Sequence, residues 1–148
     1  MRRTYPDQPV VGVGAVIVLD GRILLEKRRN EPSKGKWTIP GGLVELGESL
    51  QEAVIREARE ETCLEVEKPR LLDVVDYIES DEKGKIKYHF VIADYALKTD
   101  CTKFRAESDA DELRWVPLEE VETYELTESF RVFFQRNRRS LENLNCDP

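Results

Sequence analysis

A single predicted helix places carboxylates on the face that should pack against a core. Ser49, followed three residues later by Glu52, forms a capping-box pattern that begins a helix predicted to continue to about Thr62. Alternating steps of four and three residues define its inward face, which consists of Leu50, Val54, Glu57, Glu61 and Leu64. Because desolvating an unpaired carboxylate costs several kcal/mol, a positive group must lie against this face.

Three carboxylates converge near the middle of this helix, since Glu60 lies beside Glu61 and about one helical step from Glu57. In one interpretation a lysine or arginine from elsewhere in the chain balances their charge. In a second interpretation the helix is simply a solvated, glutamate-rich surface helix. Clustered hard oxygen ligands also suit Mg²⁺ or Mn²⁺. The spacing alone leaves these three interpretations open.

Apolar runs before and after this helix predict two β-hairpins. Residues 10–19 and 22–28 are separated by Asp20-Gly21, a pair that two-residue turns favour. Residues 71–79 and 86–97 repeat the arrangement around a polar turn. Further short strands are predicted at 37–39 and 113–116, and further helices at 117–124 and 127–141. This order predicts a single domain over residues 1–148, an α/β or α+β sandwich with a mixed β-sheet.

The composition excludes several classes of protein. Thirty acidic residues against 23 basic ones give a formal charge of −7, which repels nucleic acid polymers and requires a cation beside any phosphate-bearing substrate. No apolar run approaches the roughly 20 residues that span a bilayer, and no signal peptide is recognisable. We therefore expect a cytoplasmic protein that does not bind membranes. Three widely spaced cysteines predict no disulfide framework.

The 23 residues from Gly42 to Leu64, GLVELGESLQEAVIREAREETCL, carry a recognisable motif. They resemble the Nudix box, which reads Gly, five residues, Glu, seven residues, Arg-Glu, an aliphatic residue, any residue, Glu-Glu, any residue, Gly and an aliphatic residue. Cys63 stands at the position of the family's second glycine, and Ala58 is a small occupant of an aliphatic position. With the first hairpin, the segment WTIPGG and the segment LRWVPLEEV, the resemblance spans about residues 8–125.

The resemblance implies a Nudix-type α/β/α sandwich that holds divalent metal, Mg²⁺ or Mn²⁺, against a diphosphate. By the same resemblance Glu57 and Glu61 are metal ligands, and Glu60 is a further metal ligand or the group that helps to deprotonate the attacking water. Arg56 is similar to the family arginine that orients a box glutamate. A surface salt bridge between Arg56 and Glu52 or Glu60 is the simpler alternative, worth about 0.3–0.5 kcal/mol.

Five further residues are candidates for substrate binding or catalysis. Glu48 lies just before the helix, where it could reach the metal or merely favour the positive helix end. Gly42 would let backbone approach the metal or phosphate, although a tight turn also explains a glycine. Arg28 and Arg29 could receive phosphate oxygens or be ordinary solvated side chains. Glu112 is a candidate additional base or ligand, or one more charge in the acidic run ESDADE.

The expected substrate follows from the resemblance outside the box. The run ILLEKRRNEPSKGKWTIPGGLVELGES is most similar to Nudix enzymes of the ADP-ribose pyrophosphatase type, although Ser80 stands where many of them have proline. We therefore expect metal-dependent hydrolysis of a small nucleoside diphosphate derivative, foremost ADP-ribose to AMP and ribose 5-phosphate. One alternative is a MutT-type hydrolase of oxidised nucleoside triphosphates. Another is a non-catalytic nucleotide sensor. The family resemblance is also compatible with a homodimer.

Overall fold

Ten elements of secondary structure form a mixed sheet with helices on both sides. The computed structural model describes residues 3–99 and 110–144. In chain order the elements are β1 (Val10–Leu19), β2 (Arg22–Arg28), β3 (Trp37–Thr38), β4 (Gly41–Leu43), α1 (Leu50–Thr62), β5 (Glu67–Ser80), β6 (Ile86–Lys98), β7 (Ala110–Pro117), a 3₁₀-helix (Leu118–Thr123) and α2 (Glu128–Leu144).

Strand β1 connects the two parts of the sheet. It runs parallel to β6 along most of its length, and it pairs antiparallel with β4 near its start and with β2 at its end. Strands β5 and β6 form a long antiparallel hairpin, and β2 pairs antiparallel with β3 and β7. The result confirms the predicted mixed sheet and the predicted sandwich of sheet and helices.

The first hairpin turns as its sequence predicts. Asp20 and Gly21 both have positive φ angles, 53° and 74°. Two consecutive residues with positive φ are the requirement of the type I′ turn, whose twist matches that of the flanking strands. The pairing of Val18 with Ile23 and of Leu19 with Arg22 closes the hairpin directly around this turn.

Two apolar cores lie on opposite faces of the sheet. Helix α1 buries Ala53, Val54 and Ala58 in one of them. Helix α2 fills the other with aromatic side chains at the helical spacing of the sequence, Phe130, Phe133 and Phe134. The α1 stripe differs from the prediction at its first position, because Leu50 in the first turn is 36% exposed.

The connection before α1 also differs from the sequence prediction. A turn was expected at Gly41 and Gly42, but these residues form strand β4 beside β1. The pairing depends on close backbone contact, because a Cβ atom on Gly41 would lie 2.2 Å from the carbonyl oxygen of Val13. Strand β5 also begins four residues earlier than predicted, at Glu67, through an irregular register that passes Pro69. No helix within the described ranges is long and apolar enough to cross a membrane.

Candidate active site

Both ends of helix α1 are fixed by local hydrogen bonds. At its start the Ser49 hydroxyl accepts from the Glu52 N–H at 3.1 Å, and the Glu52 carboxylate accepts from the Ser49 N–H at 2.9 Å, which completes the predicted capping box. At its end Cys63 adopts a left-handed conformation with φ 61°, and its N–H donates to the Arg59 carbonyl at 2.9 Å. These caps fix where the helix begins and where it ends.

Three glutamates from two elements meet at the wall of a cleft. Glu61 of α1 is 4% exposed and Glu26 of β2 is 6% exposed, and the two carboxyl groups are hydrogen-bonded to each other. The Glu61 carboxyl also accepts from the Gly41 N–H at 3.0 Å. Burial and the charges of Glu26 and Glu57 raise the pKa of Glu61 to about 11. The hydrogen-bonded pair of Glu26 and Glu61 therefore retains a proton at neutral pH.

Gly42 leaves the space that the side chain of Glu57 occupies. A Cβ atom at Gly42 would lie 2.4 Å from the carboxyl carbon of Glu57. Any other residue at position 42 would displace that carboxylate. The structure thus brings Gly42 and Glu57 together, while the predicted contact of Gly42 with substrate stays a prediction.

Arg56 joins the loop before α1 to the box glutamates. Its guanidinium donates two hydrogen bonds to Glu48, at 2.6 and 2.9 Å, and one to the Glu57 carboxylate at 2.8 Å. It also donates to the Leu43 carbonyl at 3.1 Å and lies 3.3 Å from Glu60. This geometry allows Arg56 to orient Glu57, a role that stays a prediction. Of its two expected salt-bridge partners, Glu60 is present, whereas Glu52 serves the helix cap.

Glu48 and Glu60 differ in how many hydrogen bonds they form with Arg56. The two hydrogen bonds from Arg56, together with the Glu45 N–H, hold the pKa of Glu48 down at about 2. Glu48 is therefore an anchor for the guanidinium, and its predicted contact with substrate is untested. Glu60 is 56% exposed and is available to groups entering from solvent.

The cleft beside the glutamates has a volume of about 200 Å³. Its walls include the predicted substrate residues Arg28 and Arg29, and the loop that carries them is held by a 2.7 Å hydrogen bond from the Arg28 guanidinium to the Pro32 carbonyl. Apolar and aromatic side chains also line it, namely Ile39, Tyr77, Phe90, Ile92 and Phe130. A cleft that combines cationic groups with flat apolar groups suits a nucleotide.

The structure does not bring Glu112 to this cleft. Its side chain forms an ion pair with Arg114 on the same strand, and Arg114 lies over the ring of Trp37 at 4.9 Å. Trp37 belongs to the core on the α2 side, whereas Leu113 packs in the core on the α1 side. Because side chains alternate along a strand, Glu112 and Glu26 lie on opposite faces of the sheet. The predicted catalytic role of Glu112 is untested and gains no support from this position.

Two buried carboxylates of the cleft, Glu26 and Asp94, were not among the sequence candidates. Glu26 lies in β2 at the end of the apolar run ILL, two residues after Leu24 on the same buried face. Asp94 lies in β6 between two buried apolar neighbours. In both cases the available signal was an acidic residue inside a strand that is otherwise apolar. Such a residue has to find a partner or a ligand.

Comparison with known proteins assigns the family. Residues 8–136 match the model of the NUDIX domain. The chain belongs to the Nudix hydrolase family. An ADP-ribose pyrophosphatase of Methanocaldococcus jannaschii is 38% identical over 110 residues, which cover 74% of this chain and 63% of that protein. The chain therefore spans slightly less than two thirds of this relative. The recognition of the box is confirmed despite Cys63, and Nudix hydrolases generally use divalent metal ions.

Solved structures agree with this assignment. The MutT NUDIX hydrolase from Burkholderia pseudomallei superimposes with a TM-score of 0.77 at 37% identity, over 87% of this chain and 98% of that one. The NUDIX domain of Shewanella oneidensis NrtR, complexed with ADP ribose, gives a TM-score of 0.76 at 24% identity, over 92% of this chain and 90% of that one. At that identity the second likeness concerns the fold alone.

Proposed function

We propose that this Nudix hydrolase cleaves the diphosphate bond of nucleoside diphosphate derivatives, foremost ADP-ribose, to give AMP and ribose 5-phosphate. The observation that carries the proposal is the meeting of Glu26, Glu57 and Glu61 at a cleft that Arg28 and Arg29 also line. The likeness to a relative named ADP-ribose pyrophosphatase favours this substrate over other diphosphates.

The donor set fits a hard divalent cation, Mg²⁺ or Mn²⁺. Within residues 3–99 and 110–144 no three acidic, histidine or cysteine side chains stand in a metal-coordinating arrangement. However, Glu61 keeps a proton because its acidic neighbours and its burial disfavour a further charge. A divalent cation that replaced this proton would relieve the repulsion. We expect Glu57 and Glu61 to hold the cation, with Glu60 as a further ligand.

When bound, such a cation offsets the charge of the diphosphate and lowers the pKa of a coordinated water. Residues of the chain itself orient the glutamates and bind the phosphate groups. Arg56 holds one carboxylate oxygen of Glu57, and the Gly41 N–H holds one of Glu61. Arg28 and Arg29, which line the same cleft, would donate to phosphate oxygens. Glu60, which is exposed, would accept the proton that the attacking water loses.

A second candidate function is MutT-type hydrolysis of nucleoside triphosphates to a monophosphate and pyrophosphate. The specific observation in its favour is the 37% identity to the Burkholderia protein named MutT NUDIX hydrolase. A sensor that binds a nucleotide without cleaving it is less well supported. The box retains Glu57, Glu60 and Glu61, which a protein that only binds would not need.

A hydrolysis panel with purified protein separates these functions. ADP-ribose, other nucleoside diphosphate sugars, dinucleoside polyphosphates and nucleoside triphosphates are compared at equal concentration with Mg²⁺ or Mn²⁺. We expect ADP-ribose to be cleaved fastest, with AMP and ribose 5-phosphate as products. Faster cleavage of triphosphates would assign the second function. Nucleotide binding without turnover of any compound would assign the sensor.

A further inference from the structure

Asp94 is a buried carboxylate in the wall of the cleft that the proposed chemistry does not use. It is 4% exposed, and no hydrogen bond reaches its carboxyl group within the described part of the chain. Burial, with a smaller contribution from the charge of Asp73, raises the pKa of Asp94 to about 8. A carboxyl group that keeps its proton offers one O–H donor and one C=O acceptor to a ligand.

The sheet is built to leave room for this side chain. Gly14 of β1 is the neighbour of Asp94 of β6, and a Cβ atom at Gly14 would lie 2.2 Å from the Asp94 Oδ1. The same Cβ atom would lie 2.7 Å from the Cδ1 of Ile39. The carboxyl group therefore extends over Gly14 toward Ile39, across the floor of the cleft. Any side chain at position 14 would fill this space.

Asp94 lies on the α2 face of the sheet and the glutamates lie on the α1 face, and both line the same cleft. Gly41, Gly14 and Asp94 are partners in one row across β4, β1 and β6, and Gly41 carries the N–H that binds Glu61. Two strand spacings, or about 10 Å, therefore separate Asp94 from the strand that contacts the glutamate cluster. This distance is comparable to the length of one nucleoside.

The surroundings of Asp94 are those of a site for a flat aromatic ring. Ile92 precedes it on the same face of β6, and Tyr77, Phe90 and Phe130 line the same cleft. Aromatic and aliphatic walls with one convergent polar group are typical of small-molecule sites. Burying a carboxyl group without a partner destabilises a fold. A ligand that hydrogen-bonds to it removes this penalty.

We infer that Asp94 is a specificity-determining residue that accepts a hydrogen bond from the exocyclic amino group of the substrate's adenine. The inference rests on the proposed function for the identity of the nucleotide and deepens it by assigning the end of the cleft that binds the base. Adenine presents an N6–H donor beside a ring nitrogen acceptor. A protonated carboxyl group is complementary to both, and so is the carboxamide of asparagine.

Deleting one partner at a time tests this contact. Binding of AMP and of purine riboside 5′-monophosphate, which lacks the amino group, is measured by calorimetry with Mg²⁺ for the wild type, Asp94→Leu and Asp94→Asn. AMP has no diphosphate bond, so hydrolysis does not interfere. We expect the wild type to bind AMP about tenfold more tightly than the analogue. Asp94→Leu should bind both about equally, and Asp94→Asn should restore the preference.

Equal binding of the two nucleotides by the wild type, or no AMP binding, would overturn the inference without any variant. A folded Asp94→Leu protein that keeps the preference would overturn it as well, and thermal melts establish that this variant is folded. The hydrolysis panel is independent of this result. If ADP-ribose is not cleaved but AMP binding depends on the amino group through Asp94, the proposed function fails and the inference stands. The reverse result rejects the inference alone.

Discussion

The carboxyl group of Glu61 has surroundings that oppose its own charge. It is buried against Glu26 and near Glu57, so the pair of Glu26 and Glu61 takes up a proton on folding at neutral pH. Glu61→Gln removes this requirement and keeps the shape of the side chain. In metal-free buffer we expect the variant to be more stable than the wild type by about 1–3 kcal/mol in urea denaturation. Glu65→Gln, at an exposed site, is the matched control and should change stability by less than about 0.5 kcal/mol.

A marked loss of stability in Glu61→Gln would contradict this account, because it would mean that the charge of Glu61 serves a structural salt bridge. Mg²⁺ gives a second comparison. A cation that binds only the folded state raises its stability. We expect Mg²⁺ to stabilise the wild type and the Glu65→Gln control more than Glu61→Gln.

Cys63 carries a side chain at a backbone conformation that glycine favours. Its φ of 61° places it in the left-handed region, where a Cβ atom costs roughly 1–2 kcal/mol. Cys63→Gly relieves this strain but adds unfolded-state entropy, so we expect a net change between zero and about 1 kcal/mol of stabilisation in thermal melts. Activity should be retained. Cys63→Ala keeps the Cβ atom and is the control, and a large loss of rate in both variants would reveal a function of the thiol.

Asp94 gives the stability of the protein a defined pH dependence. Its pKa rises from 3.8 to about 8 on folding, so the folded state retains a proton that the unfolded state loses between these values. The contribution of Asp94 to stability is therefore full below about pH 4 and falls as the pH rises toward 8. Asp94→Asn cannot lose this proton. We expect its advantage over the wild type to grow with pH in this range, by up to about 1.4 kcal/mol per pH unit.

Urea denaturation at pH 5 and pH 8 measures this difference. Asp73 is the partner of Asp94 on β5 and the charge that acts on it, and Arg136 and Asn137 of α2 both donate to Asp73. They are unchanged in the variant and cancel in the comparison. Asp76→Asn, at an exposed site on β5, is the control. An advantage of Asp94→Asn that is the same at both pH values would mean that Asp94 is charged in the folded protein.

At the scale of elements, the short strand β4 sets the position of a glutamate on α1. A Cβ atom at Gly42 overlaps the Glu57 carboxyl, so Gly42→Ala should displace that group while the pairing of β4 with β1 persists. We expect the hydrolysis rate to fall at least tenfold and the Mg²⁺ concentration at half-maximal rate to rise. Leu46→Ala, fully exposed in the same connection, is the control. Unchanged Mg²⁺ dependence in Gly42→Ala would show that Glu57 is not a ligand.

Elements defined by local sequence were predicted well. Helix α1 begins at a capping box that the four residues from Ser49 to Glu52 specify, and the first hairpin turns at an Asp-Gly pair whose φ angles match the expected turn. Strand β4 was missed because two glycines carry no local signal for a strand. Its three residues are extended only because β1 pairs with them. The spacing predicted that Leu50 lies in the core. It lies instead in the first turn of α1 and is 36% exposed.

At the scale of the whole molecule, the cleft combines residues that are far apart in the sequence. The box could be recognised from its own spacing, which includes Glu57 and Glu61. Glu26 and Asp94 lie on strands that come together only when β1 pairs with both β2 and β6. No local pattern specifies that pairing. The sequence therefore predicted the glutamates of one helix, whereas Glu26 and Asp94 could be recognised as cleft residues only in the assembled sheet.

We propose that the carboxylate cluster of Glu26, Glu57 and Glu61 is a divalent metal site for diphosphate hydrolysis. The most direct measurement is the rate of AMP release from ADP-ribose as a function of Mg²⁺ concentration, for the wild type, Glu61→Gln and the Glu65→Gln control. We expect a saturable dependence on Mg²⁺ in the wild type and the control, no release in chelator, and at least a hundredfold lower rate in Glu61→Gln. Release that persists in chelator, or a Glu61→Gln rate equal to that of the wild type, would contradict the claim.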